Sequence, residues 1–125
     1  MAATLDVGVI AELQGLGQDI SFLDKGTDGT IPTATTGRQY RTLATADADE
    51  VLDYGDISTA TCIIIRAVTN DLDIDLDYSA SFDVDLTIKA GEVPCVIPNP
   101  AGITRVKNNG VGETPVYEVW VIGTT

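Results

Sequence analysis

A chain of 125 residues fits one domain, and 19 acidic against 7 basic residues leave a net charge of −12 at pH 7. That balance repels phosphate backbones and anionic lipid, so neither a nucleic acid nor a membrane is expected as partner. With no histidine, Ser–His and Cys–His catalysis is excluded, while 44% hydrophobic residues suffice for a core without disulfides or metals.

Residues 4–14 alternate, with Leu5, Val7, Val9, Ala11 and Leu13 on one face and Asp6, Gly8, Ile10 and Glu12 on the other. Period two predicts a half-buried strand. Gly15 and Gly17 turn the chain, and residues 19–25 return as a second strand carrying Ile20 and Phe22. Residues 26–37 are dominated by Thr and Gly and offer almost nothing to bury. They read as a polar loop or arm, a kind of segment that often meets a partner.

A third strand is expected around Tyr40 and Leu43, and a fourth over 51–54, ended by Gly55-Asp56. Residues 61–68 form a nearly continuous apolar run in which Arg66 is the one charge, as in a central strand covered on both sides. Next, Leu72, Ile74, Leu76 and Tyr78 alternate with Asp73, Asp75 and Asp77, and the pattern resumes with Phe82, Val84, Leu86 and Ile88. The Asp row is expected on a solvated sheet face. It begins like an EF-hand loop, but Leu76 stands where that loop needs Gly and Phe82 where it needs Glu, so no metal site is assigned.

Short strands over 93–97, 103–107 and 114–122 complete the set, separated by Pro98-Asn99-Pro100 and Asn108-Asn109-Gly110. Cys62 and Cys95 form no CxxC pair and are expected as buried free thiols, with a disulfide left open. In the last strand Tyr117, Val119 and Val121 share one face, and Glu118, Trp120 and Ile122 the other. Trp120 and Ile122 are then either covered by the chain itself or offered to a partner.

These elements predict an all-β fold: a single jelly-roll-like β-sandwich of about 8–10 short, mostly antiparallel strands spanning residues 1–125. Catalysis is not expected. The carboxylates fall where alternation assigns them to water, and Gly15-Leu16-Gly17 lacks the Gly and helix of a phosphate loop. No cofactor is implied. No charged segment followed by an apolar run opens the sequence, so synthesis in a cytoplasm is expected.

From about residue 37 onward the chain resembles small β-sandwich structural proteins of tailed bacteriophages. The likeness rests on Gly37-Arg38-Gln39-Tyr40, on Leu52-Asp53-Tyr54-Gly55-Asp56-Ile57-Ser58-Thr59 leading into Cys62–Arg66, and on Leu86-Thr87-Ile88-Lys89-Ala90-Gly91-Glu92. The resemblance implies a virion component made in a bacterial host's cytoplasm. The leading expectation is a capsid decoration (cement) protein on the outer shell, a homotrimer bound to the major capsid protein. A tail or baseplate component is the alternative, and a carbohydrate-binding module a second one. Contacts are expected from Leu5, Val7, Val9 and Ile10, from Thr30, Ile31 and Pro32, and from Trp120 with Ile122.

Overall fold

The computed structural model describes residues 3–13, 20–27 and 32–125, with side chains described at 3–10, 26 and 32–125. Ten strands follow in order: β1 Asp6–Leu13, β2 Ile20–Thr27, β3 Ala34–Thr42, β4 Glu50–Val51 and β5 Thr59–Thr69. Then come β6 Leu72–Tyr78, β7 Leu86–Ile88, β8 Cys95–Pro98, β9 Ile103–Asn108 and β10 Val116–Thr124. No helix occurs among the described residues.

The first sheet has the order β3-β10-β5-β8 and the second β4-β9-β6-β7, with every pairing antiparallel. The pairings nest outward from the β6–β7 hairpin: β5 with β8, β4 with β9, β3 with β10. The chain is one long hairpin wound on itself, so that β5 also lies along β10 and β6 along β9. This is the strand order of a two-sheet jelly roll, as the spacing of short strands predicts. Among the described residues β1 and β2 pair only with each other.

Alternation decides what lies between the sheets. Ile63, Ile65 and Ala67 of β5 and Tyr117, Val119 and Val121 of β10 point inward from the first sheet. Leu72 and Ile74 of β6 and Val106 of β9 meet them from the second. Each large apolar side chain buried this way contributes about 1.5–3 kcal/mol. The Tyr117 hydroxyl donates to Glu50 Oε1 at 3.3 Å, tying β10 to β4 across the sandwich. Burial, reinforced by the Glu50 carboxylate, pushes this phenol up to about 12.

Two backbone details hold the roll closed. Asp47 adopts φ 62, and its N–H donates to Asn108 Oδ1 at 2.7 Å while Asn108 Nδ2 donates back to Asp47 Oδ1 at 2.8 Å. At Gly123, beside a register shift between β10 and β5, an added Cβ would lie 2.1 Å from the Thr59 carbonyl oxygen. Only glycine fits there.

Several sequence expectations shift. The polar loop of residues 26–37 is shorter, because Gly26 and Thr27 close β2 and Ala34 opens β3; residues 28–31, with Thr30 and Ile31, lie outside the described residues. So do the turn at Gly15 and Gly17 and the side chains of Ala11, Leu13, Ile20 and Phe22. Phe82 and Val84 do not extend β7. The Asp85 N–H donates to the Ile74 carbonyl at 2.9 Å, and the preceding residues form a loop in which Val84 is exposed. Val93 is likewise exposed and precedes β8.

Candidate interaction surface

β10 lies between β3 and β5, so its outward residues sit at the middle of the first sheet's outer face. Glu118 lies opposite Tyr40 on β3 and Arg66 on β5; Trp120 lies opposite Arg38 and Ile64. The Glu118 side chain is only 7% exposed and takes both cations, Arg38 Nε on Oε1 and Arg66 on Oε2 at 2.9 Å. One carboxylate thus serves two guanidinium groups. Arg66 Nε is buried without a hydrogen-bond acceptor, and Arg38 remains 68% exposed.

The Trp120 indole N–H donates to Thr35 Oγ1, which fixes the ring as a ridge 38% exposed. On one side a cleft of about 230 Å³ is lined by Ile64 and Pro94 with Arg38, Arg66 and Glu118. On the other, a shallower hollow of about 330 Å³ is lined by Leu5, Pro32, Ala34 and Ile122. The structure therefore gathers four of the predicted contact residues, Leu5, Pro32, Trp120 and Ile122, around one place. Of these, Pro32 and Ile122 are buried and line the hollow, so Ile122 is covered largely by the chain itself. Cys62, opposite Ile122 on this face, is buried as well.

β1 and β2 supply a second apolar feature. Val9 and Ile10 are adjacent, point to opposite faces of the ribbon, and are both exposed, Ile10 at 72%. Leu5 and Val7 are half-buried. The clean alternation in β1 predicts one dry and one wet face, but among the described residues neither sheet of the sandwich pairs with the ribbon.

The outer face of the second sheet is built differently, and the expected solvated Asp row is overturned. Asp73 and Asp75 are buried, Asp75 to 1% exposure. Asp73 accepts from Thr87 Oγ1 at 2.5 Å and from Asn109 Nδ2 at 3.1 Å. Asp75 accepts the backbone N–H groups of Asp77 at 3.1 Å and Asp83 at 3.0 Å. The loop of residues 79–85 folds over this face, with Arg105 against the Tyr78 ring (4.4 Å) and Lys107 over Phe82 (5.9 Å). Buried carboxylates persist there because each is supplied with donors.

At the rim, Asp71 accepts from Lys89 Nζ at 2.6 Å and from the Ala90 N–H at 2.9 Å, which hold its carboxyl below the usual range. Oxygens of Asp75, Asp77 and Asp85 lie within 4.8 Å of one another. Three such ligands fall short of the about six to eight that calcium takes.

Cys62 and Cys95 are not joined to each other. Cys62 lies opposite Pro98 and Cys95 opposite Ile65, so the pleat sends them to opposite faces of the first sheet. Burial pushes the Cys95 thiol up.

Sequence reasoning missed the grouping of Arg38, Glu118 and Arg66. Its only trace was parity: Arg66 interrupts an apolar strand, and Glu118 shares the Trp120 side of β10. No helix among the described residues is long and apolar enough to cross a membrane. Compared with known proteins, the chain matches no family model, and neither a curated protein nor a solved structure matches it significantly.

Proposed function

We propose that the chain is a structural, protein-binding component of a virus particle, acting as a capsid decoration protein that clamps the major capsid protein from the outer surface. The observation that carries this reading is the β1–β2 ribbon, a two-stranded sheet with exposed apolar side chains, Val9 and Ile10, on both faces and, among the described residues, no pairing to either sheet of the sandwich. Such a ribbon is marginal in water by itself and gains stability when a partner covers it. The Trp120 ridge and the hollow floored by Ile122 supply a second point of attachment. The virion setting rests on the sequence motifs of residues 37–92.

Several modest contacts per subunit, repeated over a homotrimer, make attachment strong without one tight interface. The net charge of −12 suits a surface crowded with copies of itself.

The test adds purified protein to expanded capsids lacking it. Binding is expected together with a higher temperature for shell disruption, and Ile10→Asp is expected to weaken binding while leaving the sandwich folded. Shells that neither bind the protein nor gain heat resistance overturn the reading; binding to tails instead assigns it to the tail.

A further inference from the structure

We propose that the cleft beside Trp120 receives the acidic loop of residues 79–85 from a second copy of this chain, so that copies associate head to tail. The inference rests on the oligomeric part of the reading above, and it names the two surfaces.

Charge accounting supports the cleft. Arg41, Lys89 and Arg105 each have a carboxylate of their own, on Asp53, Asp71 and Asp49. Arg38 and Arg66 share one, on Glu118, leaving a local excess of positive charge in a chain of net −12. Arg66 Nε still lacks an acceptor, and the apolar walls are Ile64, Pro94 and the Trp120 ring. The cleft therefore suits an apolar side chain flanked by carboxylates.

The loop presents that pattern. Val84 is 50% exposed, with Asp83 and Asp85 exposed on either side. The loop is also held in shape before any contact: the Asp83 N–H donates to Asp75, and the Leu76 N–H to Asp85 Oδ2 at 2.7 Å. Little conformational freedom is lost on docking. Val84 enters the cleft against Trp120, and the carboxylate of Asp83 reaches the exposed end of Arg38.

The two surfaces lie on opposite outer faces of the sandwich, so the contact is heterologous and leaves one free cleft and one free loop on any open assembly. The experiment uses that property. Sedimentation of the full chain at about 0.15 M salt, where charges beyond roughly 8 Å are screened, is expected to show mass rising above 13.2 kDa with concentration. Arg38→Glu and Asp83→Lys are each expected to weaken association by about tenfold or more, roughly 1.4 kcal/mol, measured well below the thermal midpoint of each variant.

Mixed together, the two variants are expected to associate again, because the Arg38→Glu loop still fits the Asp83→Lys cleft and the two reversed charges attract each other in the other contact. If Asp83→Lys distorts the loop, Val84→Ser, which removes only the side chain that fills the cleft, is expected to show the same loss. A wild-type chain that stays monomeric at about 1 mM, association indifferent to Arg38→Glu, or a mixture that does not pair overturns the proposal. Shell binding is scored separately, so a monomer that still decorates shells sinks this inference and leaves the previous one standing.

Discussion

The two outer faces of the sandwich meet water in opposite ways. On the second sheet a loop, two aromatic rings and two long cations close over Asp73 and Asp75, and each oxygen of these two carboxylates is matched by a donor from the chain itself. On the first sheet Trp120 stands up between two concavities, one carboxylate is divided between two arginines, and a buried N–H of Arg66 has no acceptor. A sealed face stabilises the fold that carries it, whereas an open one is where an external group can still add contacts. Charge alone does not distinguish them, because the more acidic face is the one that supplies donors to its buried Asp73 and Asp75.

Removing a carboxylate from each face puts that comparison to the sharpest test. Asp75→Ala strands the N–H groups of Asp77 and Asp83 and is expected to cost about 3 kcal/mol in chemical unfolding, with Asp75→Asn costing less. The core between the faces responds to base. A phenol held at about 12 favours the fold fully below its ordinary value of 10.0, and that contribution is lost as pH rises through 10 to 12. Stability is expected to fall by about 2 kcal/mol over that range, and Tyr117→Phe to flatten the fall in urea titrations.

On the first sheet, Glu118→Ala is expected to cost about 1–2 kcal/mol, less than Asp75→Ala, because its partners Arg38 and Arg66 can turn to solvent. An equal or larger loss would erase the contrast between the faces. The smallest effect is read in acid. Hydrogen bonds from Asn108 to Asp47 and from Lys89 to Asp71 lower both carboxyls below 3.8. Their stabilisation is complete above that value and fades as pH falls through the lowered ones. The amide signals of Gly112 and Ala90, which donate to these carboxylates, are expected to titrate below pH 3.8 in NMR spectra.

Most of the fold was legible because one property, alternation with period two, governs every strand. It placed Ile63, Ile65, Val119 and Val121 in the core and set Trp120 on the opposite side of β10. Alternation tells which side of a sheet a residue leaves, not what waits there. Asp73 and Asp75 do leave by the outer side, as predicted, but a loop that returns over them makes that side dry. The same limit hid the ribbon, since β1 reads like any strand of a sandwich until its neighbours are known. The cluster of Arg38, Arg66 and Glu118 draws on three strands distant in sequence, and local pattern holds no record of that.

The nested pairing also sets how the molecule reaches its native state. The β6–β7 hairpin closes over a short stretch of chain, but each pairing outward from it joins residues farther apart, ending where the Val121 N–H meets Thr36 Oγ1 across 85 residues. Loops of that length are closed late and slowly, so folding belongs in the millisecond-to-second range of sandwiches rich in non-local contacts. β10, which carries Trp120 and Glu118, joins two neighbours distant from it in sequence, so it is expected to complete the first sheet late. The ridge and cleft around Trp120 are therefore expected to take shape late in folding.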